Sequence, residues 1–180
     1  MAAPAHTSLV DLFVSRATEA AAKVERIGRS SAEVRAAVAR ATQGARALVV
    51  AGGDYLPDEI FNSLRTIPQV IPKPTDDQLA AADAGITEAF AGVARSGSIC
   101  IAMGPPLRAV ASLLMPLHVA LLPAERIVSR PRDLFEPKGI GDEALGRNIV
   151  FVTGPSATAD MGPLVRGVHG PHRLHILVLE

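Results

Sequence analysis

Short aliphatic runs recur along the chain at Ala45–Ala51, Gln69–Pro72, Ile99–Met103, Leu117–Leu122, Asn148–Thr153 and Leu174–Leu179. They lack the polar-apolar alternation of strands that face water on one side. Such runs suit strands buried on both faces, which occur in mostly parallel sheets covered by helices. The aromatic content is only 3%, with no Trp and five Phe, so the core must be built from aliphatic side chains. A chain of 180 residues forms most simply one domain, and 48% hydrophobic content is enough for its core.

The first part of the chain reads as helical. Residues 1–7 form a loose tail, and residues 8–42 hold two helices. Leu9, Leu12, Phe13, Ala17, Ala20, Ala21 and Val24 have helical spacing, which predicts a helix from Ser8 to Ile27 ended by Gly28. Ser30-Ser-Ala-Glu33 is a capping box that opens a second helix to about Thr42, with Gly44 following. Gly52-Gly53-Asp54 turns the chain, Pro57 suits the start of another helix, and Thr75-Asp-Asp-Gln78 is a second capping box. Ser96-Gly97-Ser98 reads as a turn between two strands. Arg130–Gly146 reads as a polar surface excursion.

Charge and cysteine content exclude several classes. Lys+Arg and Asp+Glu are equal at 18 each, with no basic stripe for nucleic acid. No apolar run reaches the ~20 residues needed to span a bilayer, and no secretory signal is visible at the start. The single cysteine, Cys100, rules out an internal disulfide and a four-cysteine iron–sulfur site within this chain. These features predict a soluble, cytoplasmic protein without a cofactor of its own. Cys100 lies between isoleucines, as a small core residue does.

The chemistry-bearing residues concentrate near the end. Gly154-Pro-Ser-Ala-Thr-Ala-Asp160 follows one aliphatic run, and Gly167-Val-His-Gly-Pro171 precedes another. The first predicts a strand, a hydroxyl-rich turn and a short helix. Its unpaired first-turn amides, with Gly154, Ser156 and Thr158, would either receive an anion or form a plain capped turn. Asp160 either stabilises that helix start or acts on a ligand as an orienting group or base. Gly97 and Ser98 form either a bulge or a second set of donors. His118 is either a hydrogen-bonded core residue or a cleft residue able to exchange a proton. His169 and Gly170 are placed at the cleft. Arg108 makes a surface ion pair or neutralises a ligand carboxylate. His169, His172 and His175 are spaced by three, but Pro171 breaks the helix that would align them, and no metal site is expected. The loops to examine lie beyond the carboxyl ends of the strands.

Ala82-Asp-Ala-Gly-Ile-Thr87, Ser96-Gly-Ser98, Ser112-Leu-Leu-Met-Pro-Leu-His118 and the two closing motifs occur in that order. Together they resemble the lactate utilization protein C (LutC) family, or LUD domain. The resemblance covers roughly residues 80–180. It implies a three-layer α/β domain with a mostly parallel sheet, of the type shared by sugar phosphate isomerases and CoA transferases (NagB/RpiA/CoA transferase-like). It implies a part in oxidising L-lactate to pyruvate beside iron–sulfur partner proteins (LutA/LutB-like), which would carry the clusters. The ligand-binding set is then Gly97, Ser98, Gly154, Ser156, Thr158, Asp160, His169 and Gly170, with His118, Asp160 and His169 as candidate catalytic residues. The alternative is a stand-alone enzyme of the same fold acting on a phosphorylated or carboxylate small molecule. Arg95, Phe90 and Ala157 depart from the family pattern, which has acidic residues near the first two and an arginine at the third.

Overall fold

The computed structural model describes residues 8–104, 106–136, 148–158, 163 and 165–180. In chain order the elements are α1 (Leu9–Glu19), β1 (Lys23–Ile27), α2 (Ser31–Ala41), β2 (Leu48–Ala51), α3 (Asp58–Arg65), α4 (Asp76–Ala80), β3 (Ala84–Glu88), β4 (Ala91–Val93) and β5 (Ser98–Met103). They continue with α5 (Pro106–Leu113), β6 (Leu117–Pro123), β7 (Ile127–Val128), β8 (Asn148–Val152), β9 (Ala157–Thr158), β10 (Val165–Arg166) and β11 (Arg173–Leu179).

The fold is α/β, and its main sheet is parallel throughout, with strand order β1-β11-β6-β3-β2. β2, β3 and β6 are buried along their whole length, as the unbroken aliphatic runs require. Helices α2 and α3 cover one face. Val34, Val38, Ile60, Phe61 and Leu64 pack there against Leu48, Ile86, Val119 and Leu177. The other face carries α1, α5 and a second sheet. Phe13 and Ala17 of α1 meet Ile99, Ile101, Leu122 and Ile176.

That second sheet has the order β7-β4-β5-β8 and mixed direction. β5 runs antiparallel to both β4 and β8. The runs at 99–103 and 148–152 therefore lie outside the parallel sheet. The turn between β4 and β5 is a tight reversal, which permits only antiparallel pairing.

The predicted helix over 8–27 ends at Glu19. The chain reverses at Ala21, which takes φ +66°, and residues 23–27 become edge strand β1. Ala20, Ala21 and Val24 satisfy helical spacing, but pairing with β11 decides the local structure. Lys23, Glu25 and Arg26 give this edge the charges that discourage pairing with a further chain. Gln69–Pro72 contributes a single parallel bridge, Leu48 to Val70, and no full strand. Both capping boxes form helix starts where the sequence places them. The Ser30 hydroxyl accepts from Glu33 N, and Thr75 and Gln78 cap each other reciprocally. Residues 137–147 of the polar excursion lie outside the described residues.

Candidate functional site

β3 ends in Glu88, whose side chain is fully buried. A carboxylate taken out of water needs partners for its lone pairs. Here the loop after β2 supplies them. Gly53 N and Asp54 N donate to Glu88 Oε1 at 3.1 and 2.6 Å. Tyr55 N and Leu56 N donate to Oε2, both at 3.1 Å. Consecutive amides thus wrap one anion, as a backbone nest does.

Arg108 of α5 supplies the opposite charge. Its Nη2 lies 3.6 Å from Glu88 Oε1, and its Nη1 donates to Asp54 Oδ2 and to the Ala102 carbonyl, both at 3.0 Å. Arg108 is 4% exposed, and its Nε has no hydrogen-bond partner. Sequence reasoning favoured a surface ion pair for Arg108. The guanidinium is buried instead, because α5 packs directly on β2 and β3.

Tyr55 extends the cluster. Its ring meets Phe90 edge-on with centroids 5.3 Å apart. The Arg126 guanidinium sits 4.5 Å from the Tyr55 centroid and 5.2 Å from that of Phe90. Phe90, where the resemblance expects an acidic residue nearby, is therefore a buried floor beneath these groups. The carboxylate of this region comes from Glu88, two positions earlier in the chain.

A cavity of about 140 Å³ opens beside the cluster, lined by Val50, Ala51, Gly52, Arg65, Leu107 and Arg108. It lies at the carboxyl ends of β2 and β3, where open α/β sheets hold their ligands. Its volume is close to the ~150 Å³ that accommodates a benzene-sized molecule. Apolar walls from Val50, Ala51 and Leu107 combine with the cationic side chains of Arg65 and Arg108. That lining suits a small anion with an aliphatic part.

Apart from Arg108, the residues singled out from sequence fall elsewhere. The turn at 154–158 and the turn at 167–171 lie at the amino end of β11, the opposite end of the sheet from Glu88. The short helix expected after this turn would fall on residues 159–164, of which only 163 is described. Ala157–Thr158 is strand β9, paired antiparallel with β10. Several amides of the two turns are spent on partners within the segment. Ser156 N donates to the Pro171 carbonyl at 2.9 Å, Gly167 N to the Ser156 carbonyl at 2.8 Å, and His169 N to Ser156 Oγ at 3.3 Å. Thr158 pairs with Val165, and Gly170 abuts Ser156. Asp160 lies outside the described residues. Ala157 and Arg95 are exposed.

Gly97, Ser98 and Gly154 are brought together, and their neighbour is α1. Ser98 Oγ bonds Thr153 Oγ1 at 2.6 Å and Ser96 Oγ at 2.7 Å. Gly97 and Gly154 have φ of +66° and +70°. A Cβ at Gly97 would meet Ala17 N at 2.2 Å, and one at Gly154 would meet the Ala20 carbonyl at 2.0 Å. These positions dock the second sheet and its following turn onto the end of α1.

His118 is 0% exposed on β6, and its Nε2 bonds Thr87 Oγ1 at 2.8 Å. Burial pushes its pKa down to about 4, so the ring is neutral near neutral pH. The Cys100 thiol is buried and pushed up to about 12 by desolvation. The three closing histidines sit in different surroundings. His169 is exposed, the His172 ring covers Gly167, and His175 is buried in β11. Among the described residues no group of three or more His, Cys, Asp or Glu is placed to hold a metal.

Glu88 was the residue that sequence reasoning missed. Its signal was a lone carboxylate within an otherwise small and apolar stretch, Ala84-Gly-Ile-Thr-Glu-Ala-Phe-Ala91. A charge there implies a buried and fully partnered group.

Known proteins share this architecture. A crystal structure of a DUF162 family protein from Deinococcus radiodurans superposes with a TM-score of 0.69 over 96% of each chain, at 21% identity, which speaks to the fold alone. Lactate utilization protein C of Deinococcus radiodurans is 28% identical over 152 residues, 83% of this chain and 70% of that protein. Lactate utilization protein C of Halalkalibacterium halodurans is 36% identical over 103 residues, 55% of this chain and 45% of that protein. An uncharacterized protein of Neisseria meningitidis serogroup B is 31% identical over 98 residues, 54% of this chain and 42% of that protein. The chain thus matches under half the length of two of these three relatives. The family model of the LUD domain matches residues 12–179, and the chain belongs to the LUD domain family.

Proposed function

We propose that this chain takes part in lactate utilization by binding a small carboxylate, of the size of lactate or pyruvate, in the cavity beside Glu88 and Arg108. The observation that carries the reading is a cavity of about 140 Å³ with aliphatic walls and two arginines, at the carboxyl ends of the parallel strands of a LUD domain. A carboxylate would pair with Arg65 beside the buried Arg108 guanidinium, and the methyl group would lie against Val50 and Leu107. Glu88 and Asp54 hold Arg108 in place, so this wall of the cavity is pre-formed and loses little entropy on binding.

The family membership and the names of two relatives support the pathway assignment. In this reading the chain is a binding subunit, and iron–sulfur partner proteins of a lactate-oxidising system carry the electrons. Deleting the gene and measuring growth on L-lactate as carbon source tests the role, together with co-purification of iron–sulfur proteins on the tagged chain. Loss of growth restored by the wild-type gene is expected. Unchanged growth together with no associated iron–sulfur protein would overturn it.

The second reading is a stand-alone enzyme acting on a phosphorylated or carboxylate molecule. It would need a proton-transferring group at the cavity. Neutral, buried His118 enters the sheet at the amino end of β6, so the proton would have to come from another residue.

A further inference from the structure

The opposite end of the main sheet carries a second cavity, of about 200 Å³. Lys23 opens β1 and Arg173 opens β11, and both reach it, as do Arg166 of β10, His172 and His175. Apolar surface from Leu117 and Leu174 completes the walls. Among the described residues no carboxylate makes a close ion pair with Lys23, Arg166 or Arg173, although Glu25 acts on Lys23 at longer range. The nearest acid, Glu25, is already bonded to Arg40 and lies 3.5 Å from His175 Nε2.

His175 brings a buried ring to the same wall. Its side chain is 5% exposed, and Nε2 faces the Glu25 carboxylate at 3.5 Å. A neighbouring cavity of about 220 Å³ shares Leu117 and Arg173, has the Asp83 carboxylate in its lining and runs toward the Gly44 turn. The two form one elongated groove across the amino ends of β11 and β6.

We propose that this groove binds a phosphate-bearing small molecule, with the phosphate among Lys23, Arg166 and Arg173 and the rest of the molecule toward Gly44. Three converging cations suit a group with three acceptor oxygens and up to two negative charges better than a single carboxylate. The site is separate from the carboxylate cavity, so the two proposals stand or fall independently.

Inorganic pyrophosphate is the probe. The full chain is titrated at about 0.15 M salt, and the His175 ring resonance is followed by NMR at constant ionic strength. A saturable shift is expected, with a rise in the His175 pKa as the anion offsets Lys23. Binding should weaken about tenfold or more in Arg173→Ala and in Lys23→Ala, both at exposed positions. The thermal midpoint of each variant without ligand shows whether the fold is kept, and a variant that fails this check is replaced by Arg166→Ala. A shift that sodium chloride reproduces, or binding unchanged in the folded variants, would overturn the proposal.

Discussion

Arg108 Nη2 lies 3.6 Å from Glu88 Oε1, with both side chains almost wholly withdrawn from water. The pair joins α5 to the end of β3, and the carboxylate in turn shapes the loop from Gly53 to Leu56. One charge therefore holds a helix, a strand and the loop that borders the cavity.

Removing one partner of a buried pair strands the other. Glu88→Gln and Arg108→Met are each expected to cost about 3–5 kcal/mol. Urea unfolding would show this as a fall in midpoint. The double variant should lose less than the sum of the two, because neither charge is then left alone.

Stability should fall in mild acid. His118 is held neutral, with a pKa of about 4 against 6.5 for the free side chain. Below pH 6.5 the unfolded chain gains a proton that the folded one refuses, so stability is full above 6.5 and drains away as pH falls toward 4. The whole span is worth about 3 kcal/mol. His175, lowered by burial and then by Lys23, acts in the same direction. Urea midpoints measured between pH 7 and 5 should drop less in His118→Gln than in the wild type. Equal slopes would show that His118 does not titrate in this way.

Gly154→Ala places a methyl group 2.0 Å from the Ala20 carbonyl at a φ of +70°. The left-handed backbone alone costs an alanine about 1–2 kcal/mol, and the clash adds to it. A thermal midpoint lowered by roughly 4 °C or more is expected. Substituting the exposed Ala157 by Ser, three residues away, should change it little.

The sheet was legible because its strands are buried on both faces and leave unbroken aliphatic runs. β1 was not, since an edge strand with Lys23, Glu25 and Arg26 has no such run and its Val24 fits a helical spacing. The closing motifs were legible as turns. Their hydrogen-bond partners were not: Ser156 N and the Pro171 carbonyl are 15 positions apart and meet only in the folded chain. Glu88 and Arg108 are 20 positions apart, and only the packing of α5 on β3 brings them into contact. Sequence spacing carries no trace of that.

Calorimetric titration of the full chain with L-lactate and with pyruvate tests the carboxylate cavity most directly. Saturable binding of at least one is expected. It should weaken about tenfold or more in Arg65→Ala, the loss of one charge-assisted hydrogen bond, while Arg173→Ala at the other end of the sheet leaves it unchanged. The absence of binding by either acid, or equal binding in Arg65→Ala, would contradict the account.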